Sequence, residues 1–296
     1  MKIGIITYHR VRNYGSVLQS YALMKYLEKM GHDVYIINYI PKPHSTYMEF
    51  LGSPEGSLLR KTVYILGSFP LRLKVYKVYK NFRKRYLKLS KKEYTRATDF
   101  AKYPLDMDVY ITGSDQVWNS RYNFQKVTNE YPYYLDFTPD KAKRISYASS
   151  FGEESLDLTF DAYISSLIGR YSYLSVREKS GLKKLSSLGR NDGLHVLDPT
   201  LLLEQKDWMP IFGQVNIKEK YLLIYEPQRE KANKFKEYAV KIAKEKNLKI
   251  VKINKEYRKE PWIDTALYPS VNDFLSLFFN ADFVLTNSFH GIAFLR

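Results

Sequence analysis

The sequence predicts an α/β chain folded as two domains, each built on a parallel sheet and both facing one cleft. Three observations lead there. Short apolar runs alternate with helical patterns along nearly all 296 residues, as in strand–helix–strand units. The first run, residues 3–8, and the last, residues 283–286, each pass into a polar loop and then a helix start. Open α/β sheets place ligand loops in this way, at the carboxyl ends of strands. Between them, Gly189-Arg-Asn-Asp-Gly193 is a short polar break after which the alternation restarts. It divides the chain into domains over residues 1–190 and 191–296.

The elements follow in order. Residues 3–8 are Ile-rich and read as a buried strand. Asn13-Tyr-Gly-Ser16 reads as a turn, with Ser16 able to cap the next helix. Val17, Leu18, Tyr21, Met24 and Leu27 fall at helical spacing, and Gly31 stops that helix. Residues 33–39 form a second strand and complete a βαβ unit. Residues 41–57, rich in Pro, Gly and Ser, read as a loop. Residues 58–89 look helical, with a break near Gly67–Pro70. Strands are predicted over 109–112, 133–137, 145–149 and 173–176, and helices over 156–171 and 178–188. Beyond the polar break come strands at 195–197, 221–225, 248–253 and 283–286, with helices over 229–246 and 271–280.

Composition narrows the class. Apolar residues make up 45% of the chain, ample for a core. No apolar run approaches the ~18 residues of a membrane span, and the N-terminus enters a strand with no secretory signal, so a cytoplasmic protein is expected. With no cysteine, disulfides and thiolate chemistry are excluded. The 27 tyrosines fit sugar stacking or a proteome-wide compositional bias. The net charge of +16 is uneven: residues 60–92 hold twelve Lys/Arg and no Asp/Glu, leaving 35 basic against 31 acidic residues elsewhere. This basic helical insertion, about 58–92, suits an anionic partner such as an acidic glycan, a lipid-linked acceptor or the inner membrane surface. A solvated basic face is the alternative. No nucleic-acid motif accompanies the charge, so no nucleic acid is expected.

Four loops carry candidate chemistry. Asn13, Tyr14 and Gly15 follow the first strand, where glycine lets backbone N–H groups approach a ligand; in isolation an ordinary βα turn is the favoured reading. Neither a dinucleotide fingerprint nor a P-loop occurs. Gly113-Ser-Asp-Gln-Val-Trp-Asn119 supplies the Asp115 carboxylate, the Gln116 amide and the Trp118 indole, a set for polar recognition with a stacking face, or a capped turn with Trp118 in the core. Arg177 ends another strand and suits bidentate binding of carboxylate or phosphate, or a salt bridge to Glu178. Among five histidines, His290 alone sits at a strand end beside Ser288 and Gly291, and a pKa near ~6.5 suits proton transfer; a buried structural histidine is the alternative. His9 is the second candidate, while His32, His44 and His195 read as surface or structural. No two histidines have metal-ligand spacing. Asp106-Met-Asp108 has the D-x-D pattern of metal-dependent sugar transferases but precedes its strand, at the wrong end for the crevice.

Taken together, these loops resemble the polysaccharide pyruvyl transferase family. The matching stretches run from Ile5 through Asn13-Tyr-Gly-Ser16 to Leu23, then Gly113–Asn119, Ser146-Tyr-Ala-Ser-Ser-Phe-Gly152, Ser175-Val-Arg-Glu-Lys-Ser-Gly181, Val196-Leu-Asp-Pro-Thr200 and Thr286-Asn-Ser-Phe-His-Gly291. They keep the family's order over nearly the whole chain. The resemblance implies two Rossmann-like domains arranged as in B-type glycosyltransferases. It also implies transfer of pyruvate from phosphoenolpyruvate to a saccharide, forming a pyruvate ketal on a cell-surface or exopolysaccharide precursor; the sequence demands no metal, and no cofactor is expected. By motif, Arg177 holds the donor anion and His290 acts as general acid/base; Asp115 is a second base or an acceptor-binding group. Asn13, Tyr14, Gly15, Gln116, Trp118, Ser288 and Gly291 complete the expected binding residues. Some members carry arginine two residues before the histidine. This chain has Ser288 there, so that phosphate contact is either missing or supplied elsewhere, with Arg10 and Arg12 as the candidates. Relatives continue past the His-Gly motif, so the second domain is expected to be incomplete at its C-terminus. The alternatives are a nucleotide-sugar glycosyltransferase of the same fold, or a non-catalytic remnant that binds glycan or membrane.

Overall fold

A computed structural model of the chain describes residues 1–41, 58–119, 131–152, 161–227, 233–253 and 260–295. It divides into two compact units, Met1–Leu202 and Leu203–Arg296.

In the first unit, β1 (Lys2–Ile6), β2 (Asp33–Ile36), β3 (Val109–Thr112) and β4 (Lys143–Ser146) form an all-parallel sheet in the order β2-β1-β3-β4. Two short strands, β5 (Ser175–Val176) and β6 (Leu194–His195), pair in parallel with each other. Single bridges, Ile145 to Tyr173 and Ser149 to Val176, join β5 to the β4 side. The helices are α1 (Tyr14–Lys29), α2 (Leu58–Tyr86), α3 (Ala97–Lys102), α4 (Asp161–Gly169) and α5 (Lys179–Ser187). The last four residues of β1 and all of β3 are buried, as expected where crossover helices cover both faces of a parallel sheet. The chain passes from β1 to β2 on one side and from β3 to β4 on the other. The crevice beyond the carboxyl ends of β1 and β3 is therefore the topological switch point, where open α/β sheets take their ligands.

The second unit repeats the scheme. Here β7 (Tyr221–Tyr225), β8 (Lys249–Ile253), β9 (Thr265–Leu267) and β10 (Phe283–Thr286) lie parallel in the order β10-β7-β8-β9. The helices are α6 (Gln205–Trp208), α7 (Asn233–Lys246), α8 (Val271–Phe279) and α9 (Phe289–Ala293). The switch point falls between β7 and β10. No helix among the described residues is long and apolar enough to cross a membrane.

Four expectations are corrected. The division comes after Leu202 rather than at 190, because β6 pairs with β5 and the Asp198 side chain bonds to Ser114 and Arg177, which ties residues 191–202 to the first unit. Residues 133–137 are not a strand. Pro132–Tyr134 is a 3-10 turn followed by Leu135 at φ 57. The Tyr133 carbonyl accepts from Thr112 Oγ1 and Trp118 Nε1 instead of from a neighbouring strand, and the aromatic rings of the turn are buried as core. Helix α2 does not break at Pro70 but runs through it. Proline removes one backbone bond, and the turns beyond it are held by burial of Val75, Tyr79 and Phe82, with Tyr79 5.5 Å from Tyr14 and Phe82 6.1 Å from Tyr21 on α1. Strand β9 was not foreseen; it is three residues long and partly exposed. The loop expected over residues 41–57 lies outside the described residues from 42 onward, as do the first turns expected for α4 and α7.

Candidate functional site

In the first unit, five of the matching stretches meet at the carboxyl edge of the sheet. Asn13 caps α1, its side chain accepting from the Ser16 N–H at 3.4 Å. Ser16 is therefore not the cap. Its hydroxyl is turned the other way and donates to Asp115 Oδ2 at 2.5 Å. Asp115 follows β3 with φ 79, and its Oδ1 accepts from the Gln116 N–H at 2.8 Å. Across from it, after β4, Ala148 also lies in the left-handed region at φ 51. Two non-glycine residues held there side by side are a local strain of the kind that collects at functional sites. The two loops are tied together: Ser149 Oγ donates to the Gly113 carbonyl at 3.0 Å and the Ser150 N–H to the Asp115 carbonyl at 3.0 Å.

Arg177 follows β5 and its side chain is buried. Nε donates to Glu178 Oε1 at 2.8 Å and Nη1 to Asp198 Oδ2 at 3.3 Å. Asp198, 1% exposed, also accepts from Ser114 Oγ at 2.8 Å and from the N–H and hydroxyl of Thr200 at 3.0 and 2.8 Å. Burial alone would lower the Arg177 pKa. The charges of Asp115, Asp198 and Glu178 outweigh it and raise the value, so the guanidinium stays charged at any physiological pH. A buried cation among three carboxylates is fixed in place and its charge is largely compensated.

In the second unit, β10 ends at Thr286, whose hydroxyl donates across the switch point to the Tyr225 carbonyl of β7 at 2.7 Å. Ser288 caps α9, with Oγ accepting from the Gly291 N–H at 3.2 Å. A Cβ on Gly291 would lie 2.4 Å from Thr286 Oγ1, so only glycine lets the chain fold back this tightly. His290 is buried, its ring 5.2 Å from that of Phe289. The Tyr225 hydroxyl, in contact with Ser288, is held protonated by burial.

Other expected residues lie elsewhere. Trp118, 1% exposed, stacks on Tyr134 and packs on Phe151 and Tyr171, so it is core and offers no sugar-stacking face. Tyr14 is equally buried, against Tyr79. Gly15 sits within the first turn of α1, and Gln116 Oε1 accepts from Asn119 Nδ2 at 2.9 Å. His9 is buried with its ring nitrogens 3.2 Å from the Thr7 carbonyl and Asn38 Oδ1, and burial lowers its pKa to about 4; it is a neutral structural histidine. His195 is exposed with Nε2 3.1 Å from the Arg177 carbonyl. His44 lies outside the described residues. Asp108 accepts from the Lys2 N–H at 2.7 Å, at the amino edge of the sheet. Arg10 is paired with Glu93 at 3.4 Å. Sequence reasoning did not single out Asp198, nor the bond from Ser16 to Asp115. The signal for Asp198 was an acidic residue before Pro-Thr within a matching stretch; Ser16, read in the sequence as a helix cap, holds Asp115 instead.

The family model for polysaccharide pyruvyl transferases spans residues 13–294. The chain belongs to the polysaccharide pyruvyl transferase family. None of the curated proteins compared with this family member matches it. Among solved structures, the E. coli heptosyltransferase WaaC with ADP-2-deoxy-2-fluoro heptose is similar at 10% identity, with 100% of this chain and 85% of that chain covered and a TM-score of 0.45. The UDP-GlcNAc 2-epimerase from Neisseria meningitidis bound to UDP-GlcNAc is 10% identical over 97% of this chain and 78% of its own, with a TM-score of 0.48. The glycosyltransferase SnogD from Streptomyces nogalater is 10% identical over 100% and 77%, with a TM-score of 0.37.

Proposed function

We propose that the protein transfers pyruvate from phosphoenolpyruvate to two hydroxyls of a saccharide, forming a pyruvate ketal on a cell-surface or exopolysaccharide precursor. The observation that carries this reading is positional. In each unit, stretches that resemble the pyruvyl transferase family follow the carboxyl ends of parallel strands, and the family model spans residues 13–294.

The roles follow from the chemistry. A proton added to the methylene carbon of phosphoenolpyruvate makes the adjacent carbon electrophilic. One sugar hydroxyl adds there and gives up its proton. A second hydroxyl closes the ring, loses its proton, and expels phosphate. His290 is the proposed general acid/base, and Arg177 the residue that holds the donor anion. Each lies just beyond a strand of its own unit, Arg177 after β5 and His290 after β10. Asp115, exposed enough to meet a ligand and held by Ser16, is the proposed second base or acceptor contact. Asp198 and Glu178 orient Arg177 and already offset part of its charge. Further cations are therefore needed for a donor carrying both carboxylate and phosphate. Arg12, which makes no ion pair among the described residues, is the proposed replacement for the arginine that Ser288 displaces. The acceptor is proposed to be a saccharide carried on a lipid.

Titration calorimetry with phosphoenolpyruvate and with common nucleotide sugars tests the donor. Binding of phosphoenolpyruvate alone is expected. Tight binding of a nucleotide sugar with none of phosphoenolpyruvate would make the protein a glycosyltransferase instead, and binding of neither would leave the non-catalytic reading.

A further inference from the structure

The second half of α2 presents a basic ridge that the proposed transfer chemistry does not use. Lys74, Lys77, Lys80, Lys84 and Arg85 are exposed, and none of them has an acidic partner among the described residues. At 100° per residue they span an arc about 140° wide. Val75, Tyr79 and Phe82 occupy the opposite side and are buried, so packing on α1 fixes which way the ridge faces. Arg72 and Arg83, counted as part of the basic segment in the sequence, are buried and do not belong to it.

Two features border the cations. Phe69, 45% exposed, and the partly exposed Leu73 lie one turn apart along the edge of the ridge. At its far end, between α1 and α2, is a groove of about 320 Å³. Its lining is mostly polar, with Lys25, Arg85 and Lys88 bringing charge, and the buried Tyr21, Met24 and Leu87 form its floor. Glu28 also lines it and pairs with Lys25 at 3.3 Å, and Lys88 pairs with Asp33.

We propose that this ridge docks the protein on an anionic lipid bilayer. The cations meet headgroup phosphates, each Lys or Arg adding to the attraction within a Debye length of the surface. Phe69 and Leu73 enter the interfacial region, and the groove accepts one headgroup. A nucleic acid would use the same charges but has no use for the apolar edge that Phe69 and Leu73 form. The surface is independent of which donor the protein uses.

The test is co-sedimentation of the full chain with vesicles of phosphatidylcholine alone or mixed with phosphatidylglycerol, at low and high salt. Binding is expected only to the mixed vesicles, and loss of binding at high salt. The combined variant K74Q, K77Q, K80Q, K84Q and R85Q should bind the mixed vesicles roughly a hundred-fold more weakly or worse. A variant with Lys236, Lys241, Lys244 and Lys246 of α7 changed to Gln, also exposed, should bind like the wild type. Circular dichroism before sedimentation confirms that both are folded. Any of four results overturns the proposal: equal binding to neutral vesicles, no binding to either kind, equal loss in both variants, or displacement from mixed vesicles by duplex DNA at equal phosphate.

Discussion

At the scale of single residues, the two proposed roles separate in kinetics. Arg177→Ala removes a buried cation and should raise the apparent KM for phosphoenolpyruvate at least ten-fold, as expected for loss of a charge-assisted contact of about 1.5 kcal/mol or more. Asp198→Asn keeps the shape but loosens the guanidinium; it should raise KM in the same direction by less. His290→Ala should leave donor affinity near wild type and slow turnover by roughly 10²–10⁴-fold. Unchanged turnover in that variant would remove His290 from the chemistry, and unchanged donor affinity in Arg177→Ala would make the arginine structural. A different histidine contributes to acid stability. His9 takes up its proton at about pH 4 in the folded protein, against about 6.5 when unfolded. Between those values the unfolded chain binds a proton that the buried ring refuses, so stability is full above about 6.5 and drains away as pH falls towards 4. At 1.36 kcal/mol per pKa unit, this one group accounts for about 2 kcal/mol of loss between pH 7 and pH 5. Urea unfolding of wild type and His9→Gln at both pH values checks it; the variant should lose less by that amount.

At the scale of elements, the loops that close the site depend on positions where a side chain has no room. Gly152 follows β4 with φ 76, and an added Cβ would lie 2.2 Å from Asn119 Nδ2. Gly152→Ala must strain the backbone and push Asn119 off Gln116. The expected cost is about 1–3 kcal/mol, read by chemical denaturation. Gly169→Ala is the control: it ends α4, and an added Cβ meets nothing within 4 Å, so stability should hold or rise slightly. Where an element is buried on all sides, its residues announce it. The Ile-rich β1, the β7 run Tyr-Leu-Leu-Ile-Tyr and the span of β3 were readable in the sequence because both sheet faces are covered, and β10, only partly buried, was readable from its apolar Phe-Val-Leu run. The Pro132–Tyr134 turn misled for the same reason, since burial and aromaticity do not separate a strand from a tight turn packed beneath a sheet. Strand β9 lies partly exposed and gives almost no apolar signal. Asp198 escaped notice because its importance lies in partners drawn from positions 114, 177 and 200, which only the fold brings together.

At the scale of the whole molecule, the chain belongs to the polysaccharide pyruvyl transferase family and holds two four-stranded parallel sheets, each with its own switch point. The order of the family stretches made that legible, because loops at the carboxyl ends of strands recur in chain order. The indole of Trp118 was not legible in the same way: a ring beside a polar loop faces either in or out, and packing alone chose the core. A donor that binds only the folded protein raises its apparent stability by mass action. Phosphoenolpyruvate at a hundred times its Kd should therefore add about 2.7 kcal/mol, visible as a higher thermal midpoint. Nucleotide sugars at equal concentration should leave that midpoint in place.

The strand order also sets a timetable. Ile3 pairs with Val34 on one side, but on the other it must wait for Val109. During synthesis at roughly 5–20 residues per second, the β1–β2 pair therefore emerges several seconds before the partner for its open edge. For that interval the Ile-rich β1 is an unpaired template of the kind that recruits chaperones or other nascent chains. Ribosome-bound chains arrested shortly before Val109 should be readily cut by protease, and chains arrested well beyond Ser146 should resist.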